Sequence, residues 1–205
     1  MNQEKLFAIY EQVISDLLEK QYSVVDHFFE DDEVNLFKEQ LLEVYEADCF
    51  KKAAIGNVFN EQIVKSIRGD FISWISDKTE NNSERHFLNR IEHFSDYLNR
   101  TCFLGLQTKE FHYAVYPEGT FYKRHLDTFM NDDSRKLSLV CYLNDEDWKP
   151  DFGGELVIYK EDHDVILYPT KGRVVIFESQ LLEHEVKPVV QPRYSITGWL
   201  RTRKL

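Results

Sequence analysis

Apolar positions in the first hundred residues recur at the spacing of helices. Between residues 3 and 20, Leu6, Ile9, Tyr10, Val13, Ile14, Leu17 and Leu18 gather on one side, while Glu4, Lys5, Glu11, Asp16, Glu19 and Lys20 lie largely on the other. That division predicts an amphipathic helix resting on a core. A short strand-like run covers residues 22 to 29. Asp31, Asp32 and Glu33 then open a second helix, their carboxylates placed at its positive end, and it runs to about Ala47 on Leu36, Phe37, Leu41, Leu42 and Val44. Residues 49 to 66 carry neither period and contain Gly56, so a loop with a short helical turn is expected there. Residues 67 to 75 (Ile-Arg-Gly-Asp-Phe-Ile-Ser-Trp-Ile) have the aromatic and branched content of a strand entered through a glycine. Helical spacing returns from 83 to 102 on Phe87, Leu88, Ile91, Phe94, Tyr97 and Leu98.

From Lys109 the period shortens. Strand candidates follow at 109–116, 120–126, 136–143, 154–159, 164–168, 172–178, 184–190 and 193–202. Turn sequences separate them: Pro117-Glu118-Gly119, Asn131-Asp132-Asp133-Ser134, Asp151-Phe152-Gly153-Gly154 and Pro169-Thr170-Lys171-Gly172. A succession of short strands of this kind points to a jelly roll, and the fold class expected is mainly β with flanking helices (α+β). No repeat, low-complexity tract or linker divides the chain, whose 205 residues suit one domain. The expectation is a single domain over 1–205, with 1–105 as helical support and 106–205 as the β core.

Charge and cysteine usage narrow the partners. A formal net charge of −11 repels phosphate backbones and anionic membrane surfaces, so neither nucleic acid nor a membrane is an expected partner. Cys49, Cys102 and Cys141 are far apart and show no CxxC spacing, which indicates neither a disulfide framework nor a zinc knuckle. The opening residues lack the apolar run of a signal peptide, and no segment reaches the length of a bilayer span. A cytoplasmic protein is expected.

The candidate chemistry lies in the last third. His125 and Asp127 stand two apart after an expected strand, so both side chains can converge on one point. His184 lies beside another strand candidate and can supply a third ligand. Two neutral imidazoles and one carboxylate suit Fe(II) and leave coordination positions open. A closed structural zinc site would need a fourth protein ligand, and none is obvious nearby. Nine residues after His184 comes Arg193, in an alternating stretch that would turn it inward. A buried arginine needs an anion, and its fork is shaped to hold a carboxylate through two hydrogen bonds; the distal carboxylate of 2-oxoglutarate is the economical choice. Tyr142 taken alone reads as a packed strand residue, and Cys141 as a small apolar filler.

An ordered set of signatures between Ile67 and Trp199 resembles a known family. They are the stretch from Ile67 through Asp70 to Trp74, the stretch from Tyr116 through His125 to Asp127, Cys141-Tyr142-Leu143-Asn144, Gly153-Gly154-Glu155-Leu156, His184-Glu185-Val186, and the stretch from Arg193 to Trp199. Together they resemble the iron- and 2-oxoglutarate-dependent prolyl 4-hydroxylases, in the branch holding the hypoxia-inducible-factor prolyl hydroxylases and the bacterial enzymes that hydroxylate elongation factor Tu. The resemblance implies a distorted double-stranded β-helix with N-terminal helices packed on the major sheet. It implies Fe(II) bound by His125, Asp127 and His184, 2-oxoglutarate bound by Arg193 and Tyr142, O2 as cosubstrate, and ascorbate in a supporting role. Tyr116, Thr197 and Trp199 match positions lining the iron pocket. Asp70 matches an acid that pairs with an arginine after the His-x-Asp strand, here Arg135, and so ties a substrate loop at roughly 51–68 to the core.

The implied activity is prolyl 4-hydroxylation of a protein partner, with release of succinate and CO2. Two other readings remain open at this point: a hydroxylase of a free amino acid or small metabolite, and a non-catalytic sensor of metal or 2-oxoglutarate. A monomer is slightly favoured.

Overall fold

The computed structural model describes residues 1–53, 67–128 and 134–203. Three helices are found where the apolar periodicity predicts them: α1 (Gln3–Lys20), α2 (Asp31–Glu46) and α3 (Asn82–Cys102). Each begins on a side chain that satisfies an otherwise orphaned backbone donor. Asn2 accepts from the N–H of Lys5 at 2.8 Å, Asn81 accepts from those of Ser83 and Glu84 at 2.9 and 3.1 Å, and Glu33 reaches back to the N–H of Glu30 at 2.6 Å. No described helix is long and apolar enough to cross a membrane.

Eleven strands are described: β1 (Tyr22–Val25), β2 (Lys51–Lys52), β3 (Phe71–Ile75), β4 (Leu106–Tyr116), β5 (Tyr122–His125), β6 (Arg135–Tyr142), β7 (Leu156–Tyr159), β8 (Asp164–Leu167), β9 (Val174–Glu178), β10 (His184–Val186) and β11 (Arg193–Thr202). They form a seven-stranded sheet in the order β1-β9-β6-β11-β4-β3-β2 and a four-stranded sheet in the order β5-β10-β7-β8. All eight strands expected after residue 105 are present.

Alternation along the central strands gives the larger sheet two different faces. Phe111, Tyr113 and Val115 of β4, Leu137, Leu139 and Cys141 of β6, and Ile196 and Leu200 of β11 join buried residues of all three helices in one core cluster. Fully burying a side chain of this size stabilises the fold by roughly 1.5–3 kcal/mol, so this face anchors the helices. The intervening residues face the smaller sheet, where Val140, Val175 and Phe177 meet Leu156, Ile158 and Leu182. Gly198 allows the close approach at the centre of the first face: a Cβ there would stand 2.1 Å from the carbonyl oxygen of Glu110.

Three expectations need correction. The strand expected over 22–29 ends at Val25, and Phe28 and Phe29 are buried beyond it. The loop expected from 49 to 66 begins with a two-residue strand, Lys51–Lys52, paired with Ile72 and Phe71, because the edge of β3 offers backbone partners; residues 54–66 lie outside the described residues. The strand expected over 67–75 is split. The chain at Ile67 to Gly69 pairs instead with the smaller sheet, through Lys123 N–H to Ile67 O at 2.8 Å and Gly69 N–H to Phe121 O at 3.0 Å, before β3 joins the larger sheet beside β4.

Candidate active site

The two sheets enclose a cavity of about 140 Å³ whose lining includes His125, Asp127, His184, Arg193, Thr197 and Trp199. His125 ends β5 and His184 begins β10, and the two residues are direct cross-strand partners. Asp127 follows β5 by two residues. Their ligand atoms all lie within 4.8 Å of one another: His125 Nε2 is 3.4 Å from Asp127 Oδ1, and His184 Nε2 is 3.6 Å from Asp127 Oδ2.

Hydrogen bonding determines which ring nitrogens face the cavity centre. A carbonyl only accepts, so His125 Nδ1–H donates to Lys123 O at 2.7 Å and His184 Nδ1–H donates to Leu182 O at 3.1 Å. Both tautomers leave Nε2 with a free lone pair. Burial pushes His184 down to about 4 against the opposing pull of Asp127, keeping the imidazole neutral at ordinary pH. Burial alone would raise Asp127, but the His184 and His125 imidazoles and the Ser138 hydroxyl outweigh it and hold the carboxyl well below the usual range. Two imidazole nitrogens and one carboxylate oxygen on one side of a point, with space on the other, form a donor set suited to Fe(II).

Arg193 begins β11 opposite Tyr116 and is 2% exposed. Its guanidinium carbon lies 4.9 Å from the ring centres of both Tyr116 and Tyr142. Among the described residues it has no carboxylate partner, and its Nε and the Tyr142 hydroxyl are both buried without a hydrogen-bond partner. Burial raises the Tyr142 hydroxyl against the pull of Arg193, so it stays protonated and able to donate. Gly154, at φ +70°, leaves room here: a Cβ would stand 2.6 Å from Val189 Cγ1 and 3.1 Å from Arg193 Cδ. A buried cation next to an unsatisfied hydroxyl is costly unless an anion completes the group.

Tyr116, Thr197 and Trp199 all line the cavity. Thr197 Oγ1 lies 3.2 Å from Ser195 Oγ, and among the described residues Trp199 Nε1 is buried without a hydrogen-bond partner. The expected Asp70–Arg135 pair is not formed. Both oxygens of Asp70 are taken by Arg68, with Nε to Oδ1 at 2.8 Å and Nη2 to Oδ2 at 2.6 Å. Arg135 instead bonds Glu110 at 2.8–2.9 Å, covers the Trp199 ring at 3.5 Å, and donates to the backbone carbonyl of Asp127 at 3.1 Å. The split course of residues 67–75 explains the exchange, since it carries Arg68 to β5 and places its fork over Tyr122 at 4.2 Å.

Several cavity residues escaped the sequence reading. His112 faces Thr197 on β11 and Trp74 on β3; its Nδ1 has no hydrogen-bond partner among the described residues, and burial followed by Arg68 lowers the ring to about 3. Trp74 stands at the cavity, 55% exposed. Tyr122 stacks on His125 at 3.6 Å. Strand alternation counted outward from Tyr116 marks the side of the sheet that His112 occupies, but it carries no sign of a cavity.

Comparison with known proteins accords with this geometry. Residues 111–201 match the family model described as 2OG-Fe(II) oxygenase superfamily. A prolyl-4-hydroxylase structure from Pseudomonas putida superposes with a TM-score of 0.86 at 34% identity, over 95% of this chain and 100% of that one. The chain belongs to the prolyl 4-hydroxylase branch of the 2OG-Fe(II) oxygenases. A prolyl hydroxylase of Trichoplax adhaerens, solved with a peptide fragment of the oxygen degradation domain of hypoxia-inducible factor, gives a TM-score of 0.86 at 27% identity over 97% of this chain and 91% of that one. The hypoxia-inducible factor prolyl hydroxylase of Caenorhabditis elegans is 28% identical over 95% of this chain, which spans 28% of that relative's length.

For a member of this family the implied groups are Fe(II), 2-oxoglutarate and O2, and the cavity fits them. The donor set suits the metal, and a carboxylate near Arg193 would satisfy both the guanidinium and the orphaned Tyr142 hydroxyl.

Proposed function

We propose that this protein is an Fe(II)- and 2-oxoglutarate-dependent prolyl 4-hydroxylase acting on a protein substrate, in which His125, Asp127 and His184 hold the metal and Arg193 and Tyr142 hold the far carboxylate of 2-oxoglutarate. The observation that carries this reading is the pairing of a converged His-Asp-His group with a buried arginine whose Nε has no hydrogen-bond partner among the described residues, in one cavity. Bound there, the metal and cosubstrate supply the oxidation that places one atom of O2 on the substrate carbon while 2-oxoglutarate is converted to succinate and CO2.

The chain's own residues supply position and exclude water. His184 arrives neutral, so it need not lose a proton on binding a metal. The rings of Tyr116 and Tyr142 fix the Arg193 guanidinium, and the orphaned hydroxyl of Tyr142 adds a donor for a carboxylate. Val140, Leu156 and Phe177 line the cavity and keep it apolar. Tyr116, Thr197 and Trp199 confine what reaches the metal.

The Trichoplax relative supports a chain-borne substrate. In this protein the half-exposed Trp74 and Leu126 at the cavity provide an apolar rim for a prolyl ring. Asp70 serves as a tether through Arg68 rather than Arg135, beside the segment expected to carry the substrate loop. The reading includes a single catalytic domain, a cytoplasmic setting, a monomer, and ascorbate as a supporting reductant.

The test is mass spectrometry of proteins captured from the native cell by a His184→Ala variant and then treated with the active protein. One added oxygen on a proline, dependent on both Fe(II) and 2-oxoglutarate, is the expected product. Succinate formation with a free amino acid and no captured protein modified would replace the protein substrate by a metabolite, and no succinate under any condition would leave only a sensor.

A further inference from the structure

Two buried serines stand behind the metal-ligand group, Ser138 on β6 of the larger sheet and Ser179 just past the end of β9. Ser138 is 1% exposed and Ser179 0%, and Ser138 interrupts an otherwise apolar run, Leu137-Ser138-Leu139-Val140-Cys141. Buried hydroxyls cost free energy unless they are hydrogen-bonded. Ser138 Oγ lies 2.7 Å from Asp127 Oδ2 and 2.9 Å from Ser179 Oγ. An ionised carboxylate only accepts, so the Ser138 hydrogen goes to Asp127; the shorter contact therefore makes Ser179 the donor in the longer one. The result is a one-directional chain, Ser179 to Ser138 to Asp127 Oδ2, of the kind whose links strengthen one another.

We propose that Ser138, backed by Ser179, is a positioning residue that ties down Oδ2 of Asp127 and leaves Oδ1 as the oxygen offered to the metal. The same strand secures the other end of the residue: Arg135, three residues earlier on β6, donates to the Asp127 backbone carbonyl at 3.1 Å. Asp127 lies beyond the end of β5, in chain that no sheet ladder restrains, and β6 supplies the restraint that β5 cannot. A carboxylate free to rotate could give both oxygens to the metal and occupy a position that substrates need; a hydroxyl on Oδ2 opposes this. The proposal rests on the reading of His125, Asp127 and His184 as metal ligands.

The test is Co(II) titration of the metal-free full chain, reading affinity and the visible d–d bands without turnover. Ser138→Ala is expected to weaken Co(II) binding by about tenfold or more, the usual size of such outer-shell losses, and to change the bands as the second oxygen moves in. Ser138→Thr, which keeps the hydroxyl, is expected to restore both, a rescue that loss of packing alone would not show. Ser179→Ala is expected to give a smaller loss, and it carries the same test should Ser138→Ala fail to fold. Unchanged affinity and bands in both alanine variants would overturn the role of the serines. A parent protein whose Co(II) binding is indifferent to His184→Ala would instead overturn the metal-site reading.

Discussion

The two faces of the seven-stranded sheet are built from the same strands and share almost nothing else. On the helix side, Leu137, Leu139, Cys141, Ile196 and Leu200 pack into a core with α1, α2 and α3. On the cavity side, one residue away in each strand, are Ser138, Val140, Tyr142, Thr197 and Trp199. The Tyr142 hydroxyl, Arg193 Nε, His112 Nδ1 and Trp199 Nε1 are buried there without hydrogen-bond partners among the described residues. One face is closed mainly by apolar contact, the buried Tyr113 hydroxyl being an exception, and accounts for stability. The other keeps unsatisfied polar groups that a bound anion, metal or substrate can complete, and stability elsewhere must offset their cost. A shift of one residue in register would exchange the two faces and destroy both.

Substitutions should separate the faces by the kind of effect they produce. The largest loss is expected from His184→Ala or Asp127→Ala on the cavity side, each abolishing Co(II) binding and succinate formation while the metal-free protein still unfolds cooperatively by calorimetry. Arg193→Leu should come next. Removing one partner of a buried, hydrogen-bonded charge pair costs about 2–5 kcal/mol, so the KM for 2-oxoglutarate should rise at least about 30-fold, with metal affinity unchanged.

Leu139→Ala on the helix side should behave in the opposite way. It should cost about 2–5 kcal/mol of unfolding free energy, measured by urea titration, with little change in the KM of the folded fraction. Equal kinetic effects from Leu139→Ala and Arg193→Leu would erase the distinction between the faces. Asp70→Ala, at a buried position of the cavity lining, should slow hydroxylation of a protein substrate more than uncoupled consumption of 2-oxoglutarate. A matched loss in both assays would remove its role as a tether.

The smallest expected effect is on pH dependence. His112 and His184 are held at about 3 and about 4, below the ordinary histidine value near 6.5. Below 6.5 the unfolded chain takes up protons that the folded chain refuses. The stability linked to these rings is therefore fully present above pH 6.5 and is lost as pH falls toward 4 and then 3. His112→Phe should flatten the decline of Tm between pH 7 and pH 5 while changing Tm at pH 7 little; an unaltered slope would show that the ring titrates normally.

Much of this architecture was legible before any coordinates. Periodicity placed α1 over Gln3–Lys20, and alternation with turn residues located eight strands after residue 105. The spacing of His125, Asp127, His184 and Arg193 anticipated a shared cavity, because residues two apart on an extended chain face the same way and an inward arginine needs an anion. Alternation specifies a side, however, and not a neighbour. Asp70 and Arg135 have compatible charges, yet Asp70 is held by Arg68, since the chain at Ile67 to Gly69 joins the smaller sheet before the larger one.

The sequence by itself therefore determined most of the elements, their inward faces and the residue types from which the proposed metal and carboxylate sites are built; these follow from local periodicity and side-chain chemistry, whereas Tyr142 was pointed to only by the family resemblance. The tertiary structure alone decided which side chains meet. The Ser179–Ser138–Asp127 chain, the burial of His112 beside Trp199, and the cover of Arg135 over Trp199 depend on strand register and on the path between sheets, and these arise from packing across the whole molecule.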